Sequence, residues 1–339
     1  MSNITSHFIS FHAIDLACSS IVSANIAKSA DVVLYANDLV ENIIKATDQR
    51  AYEFTSKATE VCSTVLQMVG ETNCDNLAQT IANRLLKMEL VAQDALRRLG
   101  VEIQKGSLFQ IVFERNGVEM ILITKVDLNS FLDQTDFKKH AGLPFEKRIL
   151  KTCLIEFSSD KKHVQKVTVC DANNAKYWWD SFLELRPVTS DETNTKTAFL
   201  AVDLTLAKRL KRNFPSDYTY LRNNLIGYFR THSRFDFNDF QTNVFGSYQP
   251  DDKSLKMNEL ISAIQKLPTE KKFDNVFNVV ETEIKARFRR VIALTDKIKL
   301  ELTEDVANLS NTIEAKEIGG IKGIFIKSQD GYAAFHTTN

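Results

Sequence analysis

The stretch "SLFQIVFERNGVEMILITKVD", Ser107 to Asp127, decides how the first half of this chain is read. Two apolar runs flank Asn116-Gly117. The central positions of a tight hairpin need positive φ, which Asn and Gly adopt at little cost, so the pair predicts an antiparallel hairpin. Downstream, "RILKTCLIEFS" and "HVQKVTVCD" repeat the pattern across the polar turn "SSDKK". Upstream the period is different. Val32, Val33, Ala36, Leu39, Val40, Ile43 and Ile44 recur at helical spacing. A second helix is expected over about 50–69. A third begins near Asp75, carries Leu77, Ile81, Leu85, Leu86, Leu90 and Leu96 on one side, and stops at Gly100. Residues 3–17 alternate loosely and predict an opening strand, 128–140 reads as helical or irregular, and "AKYWWDSFLEL" predicts a helix carrying both tryptophans.

Four antiparallel strands with flanking helices make residues 1–190 an α+β domain. The polar stretch "RPVTSDETNTKT" (186–197) marks the boundary. Beyond it, helical spacing is found over about 197–213, 216–231, 236–245, 256–265 and 270–300. Short strands follow, with Asp330-Gly331 as a tight turn. The expected fold class is therefore α+β: N-terminal helices packed on an antiparallel sheet, then a mainly helical C-terminal domain, 191–339, with a terminal β-hairpin.

The 339 residues hold 43 basic and 43 acidic side chains, so an anion-binding surface has to be local. The five cysteines, Cys18, Cys62, Cys74, Cys153 and Cys170, lie far apart without a CxxC, which fits reduced thiols in a cytoplasmic protein. The first residues lack a basic segment followed by a long apolar core, so no signal peptide is expected. No apolar run reaches the roughly 18 residues of a membrane span.

Catalytic signatures are missing: there is no GxxxxGK[ST], GxSxG, HExxH or EF-hand loop. "GGIKG" (319–323) precedes a strand and reads as turn chemistry. His7, His12, His140, His163, His232 and His336 show no metal-ligand spacing. The chain is expected to be neither an enzyme nor a binder of cofactor or metal. One trace points elsewhere. Glu314-Ala315-Lys316, with Asp305 upstream, has the carboxylate-and-lysine pattern of a metal-dependent nuclease, as in phage defence. Glu283-Ile284-Lys285 repeats the triplet inside an expected helix, which shows how cheaply it arises.

The stronger signal is "KRLKRNFPSDYTYLRNNLIGYFRTHSRF", Lys208 to Phe235, with seven Arg or Lys and a single acid, Asp217. Cationic side chains neutralise phosphates and release counterions, which makes such a segment a candidate DNA contact. Lys208, Arg209, Lys211 and Arg212 crowd one helix, where Leu204, Leu206 and Leu210 can face a core. Arg222, Arg230 and Arg234 follow. "KARFRR" adds Lys285, Arg289 and Arg290 on the outer side of the expected 270–300 helix, opposite Phe277, Val280, Ile284, Phe288, Val291 and Ile298. Arg84, Lys87, Arg97 and Arg98 form a weaker group. The plain alternative is a solvated face paired with acids such as Asp274, Glu281 and Glu283. Tyr218, Tyr220, Tyr228 and Phe229 are better read as core than as base-stacking platforms. Without a recognition-helix motif, contacts would go mainly to the backbone, with low sequence specificity.

Several segments in order resemble the bacterial nucleoid-associated protein family of the YejK/NdpA type. They are "RAYEF" (50–54), "KGSLFQIVFERNGVEMILITKVD" ending near Lys125, "ILKTCLIEF", "AKYWWDSFLELRP", "TNTKTAFL", "YFRTHSRFDFNDF", and "IKARFRRVIALTDKIKL" on to "GYAAF". The likeness thins over 1–35 and 246–270, and Thr152 stands where the family often has Gly. The resemblance implies a cytoplasmic, nucleoid-located protein without a known catalytic site. It would bind double-stranded DNA, or act as an adaptor for other chromosome-bound proteins such as topoisomerases. A homodimer is expected, because two modest patches gain from joint binding on one duplex.

Overall fold

Asn116 and Gly117 take φ of 51° and 80°, and the hairpin they close sits at the middle of a large sheet. The computed structural model describes residues 4–23, 30–46, 48–71, 73–98, 100–103, 105–126, 129–132, 139–142, 149–171 and 175–336. The chain divides into two units, Met1–Thr189 and Ser190–Asn339.

The first unit runs β1 (Ile4–Asp15), β2 (Ser20–Ser23), α1 (Ala30–Lys45), β3 (Arg50–Phe54), α2 (Glu60–Met68), α3 (Asp75–Arg97), β4 (Ser107–Arg115), β5 (Val118–Val126), β6 (Asn129–Leu132), β7 (Lys139–Gly142), β8 (Ile149–Phe157), β9 (Val164–Asp171) and β10 (Leu185–Pro187). A π-helical turn, Tyr177–Phe182, precedes β10. Among the described residues, eight strands form one antiparallel sheet in the order β10-β3-β9-β8-β5-β4-β1-β2. β6 and β7 pair separately. Both faces of this sheet are covered. Leu108, Val112, Ile121 and Ile123 pack with Val65 of α2 and Ile81 and Leu85 of α3. Phe109, Ile111, Phe113 and Leu122 pack with Leu39, Val40 and Ile43 of α1. Burial on both sides explains why β4 and β5 read as continuous apolar runs instead of alternating ones. Each large side chain buried in this way stabilises by about 1.5–3 kcal/mol. Gly100, at φ 67°, follows the end of α3 and donates its N–H to the Arg97 carbonyl at 3.1 Å.

The second unit runs α4 (Asp191–Leu210), α5 (Pro215–Thr231), β11 (Arg234–Asp236), α6 (Phe237–Gln241), α7 (Met257–Gln265), α8 (Leu267–Lys271), β12 (Val276–Asn278), β13 (Arg290–Ala293), β14 (Lys299–Leu302), α9 (Leu309–Thr312), β15 (Ile313–Ile318), β16 (Ile321–Ile326) and α10 (Gln329–Phe335). Ser190 caps α4, its Oγ accepting the Thr193 N–H at 3.2 Å. The core is aromatic. Phe235 stacks on Phe277 at 4.6 Å between ring centres, with Phe199, Phe229 and Phe240 around them. Among the described residues no helix is long and apolar enough to cross a membrane.

The expected fold class is corrected in several places. The sheet has eight strands, not four. "RAYEF" is strand β3 and not the start of a helix, because its backbone pairs with both β9 and β10. "AKYWWDSFLEL" holds only a π-helical turn before the chain re-enters the sheet. The second unit is not helical to its hairpin. No 270–300 helix exists: Val276–Asn278 pairs with β11, Arg290–Ala293 with β14, and 3-10 turns lie between. Phe277, Ile284 and Phe288 do reach the core, but Val291 and Ile298 are exposed. The terminal hairpin turns at Gly319-Gly320, and Asp330-Gly331 lies inside α10, which follows the hairpin.

Candidate nucleic-acid interface

From Leu204 to Ser216 the chain has four cations and no acid. Leu206 and Leu210 bury the inner side of α4, while Leu204, expected to do the same, is exposed. Lys208, Arg209, Lys211 and Arg212 all stand exposed at the end of this helix. None of them joins an ion pair among the described residues. Cations are favoured there by the carbonyl end of the helix dipole. The nearest acid in sequence, Asp217, does not neutralise them. It is fully buried, and its carboxylate accepts the Tyr248 hydroxyl at 2.6 Å and the Asp251 N–H at 2.7 Å. Burial, reinforced by that carboxylate, pushes the Tyr248 hydroxyl pKa up. The next helix, α5, starts at Pro215 without a side-chain cap, and its positive dipole end adds to the same turn. Arg209 borders an open groove with Asn258, Ser262 and Lys266, where Glu259 and Glu270 also lie.

The remaining cations singled out in the sequence have other surroundings. Arg222 is buried in α5: its Nε lies 2.9 Å from Asp203, and its NH2 group donates to the Arg287 carbonyl at 2.6 Å. It thereby holds the 285–288 turn. Arg230 is bound to Asp305 and lies 2.7 Å from Glu304. Arg289, on the strand side of that turn, makes a two-pronged contact to Glu301 at 2.6 and 2.9 Å. Arg290 lies 4.9 Å over the Tyr218 ring, and burial lowers its guanidinium pKa. Arg234 is half-buried on β11, and Lys285 is exposed on a short 3-10 turn. In the first unit Arg84 is clasped by Glu60 at 2.6 Å and Glu184 at 3.1 Å, and Arg97 pairs with Asp94. Tyr218, Tyr228 and Phe229 are core side chains.

Two acidic arrangements carry the donor types of a metal site. Glu314 is held by Lys316 and Lys327, each at 2.9 Å, while Asp305 is engaged by Arg230, so the triplet and its upstream acid serve separate ion pairs. His7, Glu114 and Glu119 bring one ligand atom each within 4.8 Å of one another. Lys161 already places its ammonium 3.1 Å from Glu119, supplying the positive charge there.

A second constellation escaped the sequence, apart from Lys125. Lys125 on β5, Lys151 on β8 and Asp171 on β9 are register neighbours across the sheet. Lys125 meets Glu89 of α3 at 2.5 Å, both 1% exposed, and Lys151 meets Asp171 at 2.7 Å. Tyr177 links the pairs: its hydroxyl is 3.3 Å from Glu89, and Lys151 lies 5.4 Å over its ring. Burial and the Glu89 charge push this hydroxyl pKa well up. The trace left in the sequence is one lysine in each of two mainly apolar strands, which does not say that the two meet.

No protein-family model matches this chain, and no curated protein matches it in sequence.

Proposed function

We propose that this chain binds double-stranded DNA, that of a bacterial nucleoid, through phosphate contacts from the α4–α5 turn, with low sequence specificity. The observation that carries this reading is the unneutralised set Lys208, Arg209, Lys211 and Arg212, set beside Arg222, Arg230 and Arg289, which carboxylates hold. Unpaired exposed cations give up only water and counterions when a phosphate arrives. A polyanion is therefore the ligand class this turn suits. The resemblance of the sequence to nucleoid-associated proteins selects chromosomal DNA among polyanions. The four cations sit at a helix end and the turn after it and present charge alone, the chemistry of backbone contact rather than of base reading.

A salt titration of duplex affinity tests the reading. Four phosphates neutralised give a slope of log affinity against log salt of about −3.6. The Lys211→Glu/Arg212→Glu variant should bind all sequences more weakly and bring the slope to about half that value. A chain that retains no duplex even at low salt would instead act through protein partners, such as topoisomerases. An unchanged slope in the double variant would move the contact to another surface.

A further inference from the structure

Residues 313–336 carry apolar side chains that their own unit leaves uncovered. Ile318 is 74% exposed, Ile321 76%, Phe325 46% and Phe335 89%. Every residue of β16 is exposed, and no residue of α10 is buried. A two-stranded ribbon is marginal in water by itself, and a helix of 7 residues is far below the length that is stable alone. The ribbon carries apolar side chains on both faces, between charged ones. The register sets Ile313 against Ile326 and Ala315 against Ile324 on one face, and Ile318 against Ile321, with Phe325, on the other. A hairpin meant to lie on one core would alternate apolar and polar sides. Among the described residues β15 pairs with β16 alone, so its outer edge is open.

We propose that this arm joins two copies of the chain, β15 edge to β15 edge, about a two-fold axis at Ala315. Charge complementarity along β15 points to a second copy and favours one axis. In an antiparallel pair, opposed residues share a face, so a two-fold axis must pass at a residue position. An axis at Glu314, Lys316 or Glu317 sets that residue against its own copy, like charge on like, which is destabilising. The axis at Ala315 brings the Glu314–Lys316 pairs of the two copies, each 2.9 Å within its own chain, against one another with Glu314 facing the partner's Lys316, and leaves the smallest side chain at the centre. Ile313, Ala315, Ile324 and Ile326 of both copies then form an apolar diagonal across four strands, with the opposed Glu317 and Lys322 of each copy at the two remaining corners. α10, with Tyr332 and Phe335 exposed, is the element available to cover it. The chain has zero net charge, so two copies approach without overall repulsion. The association needs no nucleic acid and stands apart from the DNA-binding reading.

Sedimentation of the full chain at micromolar concentration, without nucleic acid, should show a dimer. Ile324→Asp/Ile326→Asp should be monomeric and melt at the temperature that wild type approaches on dilution, since neither side chain is buried within the single chain. Glu314→Lys should weaken the dimer about tenfold, and Glu314→Lys/Lys316→Glu should restore it. Ala315→Cys, in a Cys18→Ser background, should cross-link to a covalent dimer under mild oxidation. A wild-type monomer, a dimer untouched by Ile324→Asp/Ile326→Asp, or a failure of the Ala315→Cys variant to cross-link would overturn the proposal.

Discussion

Lys125 is 1% exposed, with its ammonium 2.5 Å from an equally buried carboxylate, whereas Lys211 stands in solvent with no acid against it. The two lysines show how surroundings set the use of a charge. Inside the sheet, a cation without a partner would cost several kcal/mol, of the order found for buried ions, so Glu89 is a structural requirement for Lys125. At the end of α4, water solvates the ammonium, and the charge stays available to a ligand. The same contrast divides the second unit. Arg222, Arg230 and Arg289 are spent on holding turns, while Lys208 to Arg212 hold nothing.

Five variants probe that contrast. The largest effect is expected from Glu89→Ala, which strands the Lys125 charge and should lower stability by about 3–5 kcal/mol in denaturant titration. Lys125→Met/Glu89→Leu should recover most of it. Equal losses in the single and double variants would mean that packing, not charge, is what Glu89 contributes. Arg222→Ala should cost about 1.5–3 kcal/mol through its charged hydrogen bonds to Asp203 and the Arg287 carbonyl. Lys211→Ala should stay within about 0.5 kcal/mol of wild type and yet weaken duplex binding. If Arg222→Ala weakens binding without destabilising, the division between structural and available cations fails. Arg289→Ala should also cost little, about 0–1 kcal/mol, and leave duplex binding unchanged, since its pair with Glu301 is open to solvent.

Stability against pH sharpens the picture of the buried side. His12 is 3% exposed, and burial holds its imidazole pKa below the ordinary 6.5, with Asp75 partly offsetting this. The unfolded chain therefore takes up the proton more readily than the folded one. This contribution is complete above pH 6.5 and is lost as the pH falls towards the folded value. Melting temperature should drop on acidification from neutral pH, and His12→Gln should flatten that part of the profile. A profile unaltered by the substitution would count against a desolvated imidazole.

Much of the architecture was open to reading along the chain. Asn116-Gly117, the α1 spacing and the stop at Gly100 depend on φ preferences and on neighbours three or four residues away. The 276–302 segment misled because apolar residues at helical spacing also suit a chain that touches a core at intervals. There the backbone of Phe277 found Phe235, across 42 positions, and made a strand pair. "RAYEF" became a strand for the same reason, since its partners lie in β9 and β10. The α4 cations could be found from the lack of acids around them. The buried row of Lys125, Lys151, Asp171 and Glu89 could not, because its members are brought together by register and by helix packing.

The residue order alone determined the local elements, the zero overall charge and the clustering of cations after Leu206, since each follows from short-range sterics or counting. Which cations are neutralised was settled by the tertiary structure. An ion pair needs two groups within about 4 Å, and only the folded chain brings residues tens of positions apart to that distance.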